Sequence, residues 1–211
     1  MSESLKYQRM LIVIPIIHTE ADLGSLGEKV KHSLESTKGK EYWSKHVKTV
    51  EGLWDAIRTW IFSLSLTYEK VRLYQDGLPV CNMELQIVQD VADRGSRNHS
   101  ILLDLIARGA ILMGTEDPKL LLQEYAFQQN EIVPNVQVRL DLVSQRLQQS
   151  QKLLLDRDLF IADQINSTLQ IGETGLLFIG KTHQVEPHLA PDIFTRLIPN
   201  MQFSNIQGFT K

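Results

Sequence analysis

An α/β fold, with a mostly parallel central sheet of about four to five strands flanked by helices, follows from three observations on this chain. Short apolar runs recur along it, LIVIPII, VRLYQ, AILMGT and LLFIGKT, each with the length and composition of a buried strand. The segments between them carry mostly helical periodicity. Each run also stops at a titratable side chain: His18, Asp76, Glu116 and His183 in turn. In sheets of this class ligands bind in the crevice beyond the carboxyl ends of the strands. Two imidazoles and two carboxylates are therefore expected to face one crevice.

The elements follow in order. Residues 10–17 form the first expected strand, and Thr19 or Asp22 then caps a helix over 26–36. Ser36-Thr37-Lys38-Gly39-Lys40 marks a turn. Residues 41–68 read as a helix or helix pair, with Trp43, Val47, Val50, Trp54, Ile57, Phe62 and Leu64 at three- and four-residue steps. Its tryptophan-rich stretch, 43–60, is expected to pack against the sheet or a partner. The second strand, 71–75, breaks at the turn dipeptide Asp76-Gly77. Residues 84–92 and 99–108 read as helices, separated by Asp93-Arg94-Gly95-Ser96-Arg97-Asn98. The third strand, 110–114, leads to Asp117-Pro118, an N-cap and first-turn pair that opens a helix to about residue 129. The longest helical pattern, 136–169, has an apolar seam of Val136, Leu140, Val143, Leu147, Leu154, Ile161 and Ile165. The last central strand is 176–180, and residues 192–198 allow a further short one. No repeat or domain-scale shift in composition divides the chain, so residues 1–211 are taken as a single domain.

Composition narrows the partners. Lys plus Arg number 22 against 25 Asp plus Glu, a formal net charge of -3. No basic excess is available to neutralise a phosphate backbone, so nucleic acid is not an expected partner. No run approaches the roughly 18 uninterrupted apolar residues of a membrane span. LIVIPII ends in His-Thr-Glu-Ala-Asp rather than in the small residues of a cleavage site, so the expected setting is cytoplasmic, without a membrane. The single cysteine, Cys81, excludes an internal disulfide and is expected as a small core residue.

Several residues can carry chemistry. His18 follows a strand directly, and Glu20 and Asp22 alternate with it, so a carboxylate can orient its ring; the same acids serve equally as helix caps. Asp76 has the plain alternative of a turn residue. Glu116 is left free for the crevice if Asp117 is the cap. Gly180 at a strand end permits a sharp bend and close approach to a ligand, with His183 three residues on. Arg157, beside Asp158 on the long helix, can clamp a carboxylate, a phosphate or a developing oxyanion, or simply pair with a neighbouring acid. The loop at Gly95 with Asn98 and His99 suits a helix N-terminus that receives an anion, although capping explains it as well. His32, His46 and His188 are read as surface residues. The chain has no CxxC pair, HExxH, Walker loop, GxGxxG or GxSxG. Structural zinc, zincin proteolysis, P-loop hydrolysis, dinucleotide binding and a serine-hydrolase elbow are therefore unsupported.

Arg157-Asp158-x-x-Ile161-Ala162 followed by Gly180-Lys181-Thr182-His183, with a histidine after the first strand and acids after the second and third, resembles the superfamily of TraB/GumN-like proteins, TIKI metalloproteases, ChaN-like proteins and erythromycin esterase-like enzymes. The likeness spans most of the chain but rests on few residues. The family's first GxxH stands here as Pro15-Ile16-Ile17-His18, without the glycine, and Asp76 takes the place of the usual glutamate. The resemblance implies that His18, Glu116 and His183 are catalytic or metal-binding and that Arg157 stabilises the substrate. The shorter acid and missing glycine argue against metal-dependent peptidase activity specifically.

Three functions are then open. The first is a hydrolase with a His/Glu site at the carboxyl edge of the sheet, acting on a small molecule or peptide. In it, His18, Glu116 and His183 either hold a divalent metal that activates water or work without one, with His18 as base and Arg157 over the oxyanion. Glu20, Asp22, Asp76, Asn98, His99 and Asp158 would contact the substrate. The second is a non-catalytic domain that binds a small anion through Arg157, His99 and the Gly95 loop. The third is an assembly module, including a homo-oligomer, that uses segment 43–60 as its contact surface.

Overall fold

The alternation of apolar side chains in the first strand sets the plan of the molecule: Leu11 faces one side of the sheet, while Ile12, Ile14 and Ile16 share a core that includes the long tryptophan-bearing helix. The computed structural model describes residues 8–16, 27–130 and 140–198. In chain order the elements are β1 (Arg9–Ile16), α1 (Gly27–Lys38), α2 (Lys40–Ser63), β2 (Val71–Gln75), α3 (Glu84–Asp93), α4 (Arg97–Ile106), β3 (Ile111–Met113), α5 (Pro118–Asn130), α6 (Leu140–Thr168), β4 (Thr174–Gly180) and β5 (Ile193–Leu197). The five strands form one sheet in the order β3-β2-β4-β1-β5, and every pairing is parallel. The fold is therefore the expected α/β type, and residues 192–198 do contribute a strand, at the edge beside β1.

The central strands are apolar on both faces because helices cover both. On one face Ile12, Ile14, Leu73, Leu176 and Phe178 pack with Val50, Trp54, Ile57 and Ile61 of α2, Val88 of α3 and Leu102 of α4. On the other, Leu11, Tyr74, Leu177 and Ile179 pack with Ile161, Ala162, Ile165 and Leu169. Trp43 and Trp54 are buried and Trp60 packs on the first core, so the tryptophans serve packing within the chain.

Polar clamps fix the amino-terminal edge of the sheet. Arg9 donates to the last carbonyls of α6, Asn166 O at 2.7 Å and Leu169 O at 3.0 Å, and grips Asp192 with two further bonds. These contacts satisfy acceptors that a helix end leaves open. Arg72 holds Glu173 in the same two-pronged way, at 2.8 and 2.9 Å.

Some expectations need correction. The seam of the long helix is buried only in its second half: Ile161 and Ile165 are in the core, but Leu147 is exposed. The 29 residues of α6 extend about 44 Å at 1.5 Å per residue, whereas the seven of β4 span about 23 Å. Its first half overhangs the carboxyl edge of the sheet, where apolar spacing finds no sheet beneath it. Cys81, expected in the core, is exposed on the loop after β2, whose backbone N–H groups at Cys81 and Asn82 are held by Glu84 Oε1. His46, expected at the surface, is buried on α2 beside Trp43, with ring centroids 6.0 Å apart. Burial, then the charge of Lys38, holds its ring below the usual histidine value. Val136 with the rest of the helix start expected before residue 140, and the tail from residue 199, lie outside the described residues.

Candidate active site

Strand order brings the chemistry to one place. The chain runs outward from β2 to β3 and then returns to insert β4 between β2 and β1. The carboxyl ends of β2, β3 and β4 are therefore near neighbours, and α6, leading back into β4, crosses over them. Asp76 follows β2, Glu116 follows β3, His183 follows β4, and Arg157 and Asp158 sit midway along α6.

Arg157 is the hub. Its Nε donates to Glu116 Oε2 at 2.5 Å, and its Nη2 donates to Glu116 Oε1 at 2.7 Å and to Asp76 Oδ1 at 2.9 Å. Its Nη1 donates to Glu124 Oε2, from α5. Four of the five N–H groups of a guanidinium are thereby engaged. Burial disfavours the charge on Arg157, but the bonds to Glu116 and the charges of Asp76 and Glu124 outweigh that and raise its pKa. Glu116 is fully buried, and its Oε1 also accepts the N–H of Gly77 at 2.7 Å. Burial, aided by the nearby charge of Asp76, pushes its carboxyl above the usual range against the opposing pull of Arg157.

Asp76 links this hub to the histidine. Its backbone N–H continues the sheet to Phe178 O at 2.8 Å, and its Oδ2 accepts the N–H of Gly180 at 2.9 Å. A Cβ on Gly180 would stand only 3.0 Å from that oxygen, so the glycine serves a close approach, here to a carboxylate of the protein itself. Asp76 Oδ2 lies 3.6 Å from His183 Nε2. On the other edge of the ring, His183 Nδ1 is 2.5 Å from Asp158 Oδ1, and Asp158 Oδ2 accepts the N–H of Gln184 at 2.9 Å. The His183 side chain is 3% exposed. Burial lowers the pKa of the ring, Arg157 lowers it further, and the Asp158 hydrogen bond with the charge of Asp76 more than reverses both, for a net rise.

The other candidates fall into place around this pair of clusters. Asp117 Oδ1 accepts the N–H of Lys119 at 2.7 Å, the expected cap, but the Glu116 it releases turns inward to Arg157 instead of lining an open crevice. Asp158, expected at the substrate, is instead a buried acceptor for His183. Asn98 and His99 are buried in the first turn of α4. Ser96 Oγ caps that helix at His99 N, 3.3 Å, and meets His99 Nδ1 at 2.8 Å, so the serine and the histidine satisfy each other. Asn98 Nδ2 donates to Gln75 Oε1 at 2.8 Å, and Gln75 Nε2 donates to the Asp76 carbonyl at 3.0 Å, which ties Asn98 to the site from behind. His18, Glu20 and Asp22 lie outside the described residues. The strand before them ends at Ile16, paired with Gly180.

Three contributors were not singled out from the sequence. Gln75 and Thr115 each stand beside a chosen acid at a strand end, where a polar residue is a usable signal; Thr115 Oγ1 accepts the N–H of Gln75 at 2.9 Å. Glu124 carries no such signal, because it reads as one more polar residue of a surface helix.

Of the expected metal ligands His18, Glu116 and His183, the first lies outside the described residues and Glu116 is already committed. Both oxygens of Glu116 are held by Arg157, whose positive charge would stand directly beside any cation they bound. Among the described residues no group of three or more His, Cys, Asp or Glu side chains is placed to hold a metal ion. No helix among the described residues is long and apolar enough to cross a membrane. No protein-family model matches the chain, and no curated protein or solved structure does either.

Proposed function

We propose that the chain is a hydrolase whose general acid–base group is His183, at the carboxyl edge of the parallel sheet. The observation that carries this reading is the row Asp158–His183–Asp76, with 2.5 Å on the Nδ1 side and 3.6 Å on the Nε2 side. A carboxylate on Nδ1 fixes the ring's tautomer and direction, and leaves Nε2 as the nitrogen that exchanges a proton. With its pKa raised, His183 carries the proton through more of the neutral range, which suits donation to a leaving group. The conjugate imidazole then takes a proton from water. Glu116 and Arg157 act through position: Arg157 binds Glu116 and Asp76 with the same Nη2, so the buried pair sets where Asp76 stands relative to His183. His18, two residues beyond Ile16 in the sequence, is the proposed partner of His183 in handling the water. No step is routed through a metal. The likeness to TraB/GumN-like and erythromycin esterase-like proteins supports the reading, because its Arg-Asp and GxxH residues are the ones gathered here.

The reading of a simple anion-binding domain is weaker. Two of the three carboxylates on its main donor, Arg157, are also bonded to backbone N–H groups of the sheet edge, and its second element, the Gly95 loop, is internally capped.

The test is turnover of a panel of chromogenic esters, amides and short peptides by the wild-type chain, His183→Gln and Asp158→Asn, with circular dichroism to check folding. Wild-type turnover that falls about 10²-fold or more in both variants is expected. Absence of wild-type turnover across the panel, or full activity in folded His183→Gln, overturns the reading.

A further inference from the structure

The carboxylates on Arg157 are not equally secured. Glu116 is fully buried and also bonded to the N–H of Gly77, and Asp76 is bonded to the N–H of Gly180. Both are locked to the backbone of the sheet edge. Glu124 differs: its side chain is 28% exposed, against 6% for Arg157, and its Oε1 is held by the Gln128 amide, one turn further along the same helix, at 2.9 Å. That helix, α5, packs chiefly on α6. The Nη1 edge of Arg157 is thus the one covered by a side chain that can swing away without opening the sheet.

We propose that Glu124 is the internal occupant of a carboxylate subsite, and that a carboxylate on the ligand takes its place on Arg157 Nη1. The charge balance selects the ligand class. Four acids, Asp76, Glu116, Glu124 and Asp158, face two bases, Arg157 and His183. Exchange of one monoanion for another leaves that balance unchanged. A phosphate dianion would add negative charge to a site already in acid excess, and a neutral group would leave a buried guanidinium edge without its anion. The geometry places the subsite beside the proposed acid–base group, because the same guanidinium reaches Asp76 through Nη2 and Asp76 lies 3.6 Å from His183 Nε2. A bound carboxylate would anchor a substrate with its reactive group toward that imidazole. The subsite does not depend on His183 being catalytic, and it is tested by binding, so its failure and that of the hydrolase reading are distinguishable.

The experiment follows the Arg157 Nε–H resonance of the full chain by nitrogen-15 NMR while sodium acetate, sodium phosphate or sodium chloride is added at constant ionic strength. Glu124→Ala deletes the occupant at a partly exposed helix position, where the fold is expected to hold. Its acetate affinity is expected to be about 5- to 10-fold tighter than that of the wild type, with a smaller gain for phosphate and none for chloride. Gln128→Ala keeps the acid but loosens its tether, and is expected to give a gain between the two. Acetate binding by Glu124→Ala no tighter than by wild type, or a phosphate gain equal to that of acetate, overturns the proposal.

Discussion

His183 Nδ1 lies 2.5 Å from Asp158 Oδ1, and the other oxygen of Asp158 is held at 2.9 Å by the N–H of Gln184. The carboxylate is therefore fixed at both ends, and the ring cannot turn without breaking a charge-assisted bond. Asp158→Asn keeps the shape and removes the charge. The ring of His183 is then expected to titrate at lower pH than in the wild type, as read from its C–H proton resonances. An unchanged titration would show that Asp158 does not set the proton affinity of the ring.

Protonation of His183 also links the fold to pH. Its folded-state pKa is raised above the ordinary histidine value of 6.5, so folding favours the protonated ring. That stabilisation is fully present below 6.5 and is lost as pH rises through the folded-state pKa. Urea unfolding of wild type and His183→Gln across this range is expected to show a wild-type advantage at the acid end that shrinks toward the alkaline end. A gap that widens with pH would contradict the assigned direction.

Arg157 is the counter-charge of two buried carboxylates, and its removal leaves Glu116 without one and Asp76 with His183 alone. Arg157→Met is expected to cost about 3–5 kcal/mol in urea unfolding at neutral pH, since breaking a buried ion pair from one side leaves an unpaired charge in the interior. Adding Glu116→Gln to that variant removes one of the stranded charges and is expected to recover part of the loss. If the double variant is no more stable than Arg157→Met, the pairing with Glu116 is not what makes Arg157 matter.

The strands and helices were legible because their signals are local. β2 and β4 stand within a residue or two of the apolar runs that announce them, and Asp117-Pro118 starts α5 as its chemistry requires. Asp76, Glu116, His183, Arg157 and Asp158 were legible as a set because each lies beyond a strand end or opposite one on α6. Their division of labour was not, since it depends on which donor meets which acceptor across 25 to 104 positions of chain. Spacing leaves Arg157 open as a ligand clamp or as the partner of a neighbouring acid, and it cannot show that Glu124, from a different helix, is bonded to it. Leu147 belongs to the apolar seam of the long helix yet is exposed, because periodicity reports a face but not whether the sheet extends far enough to cover it.

Gly114 controls where Glu116 stands. It directly follows β3, and a Cβ built on it would lie 2.8 Å from the Cα of Val80 and 2.9 Å from Glu84 Oε1. The backbone of the loop after β2 therefore passes directly over the glycine, held there by the bond from Val80 N to Glu116 O at 2.9 Å and by Thr115 N to Leu78 O at 2.9 Å. A methyl group at this position has to push backbone, which cannot rotate aside as a long side chain would. Gly114→Ala is expected to cost about 1–3 kcal/mol in urea unfolding through overpacking. Because the displaced strand end carries Glu116, the Arg157 Nε–H resonance is expected to shift in the same variant, whereas Gly52→Ala, with open space around its Cβ on α2, is expected to leave that resonance in place. A Gly114→Ala protein with wild-type stability and an unmoved Arg157 signal would mean that the loop adapts without disturbing the buried pair.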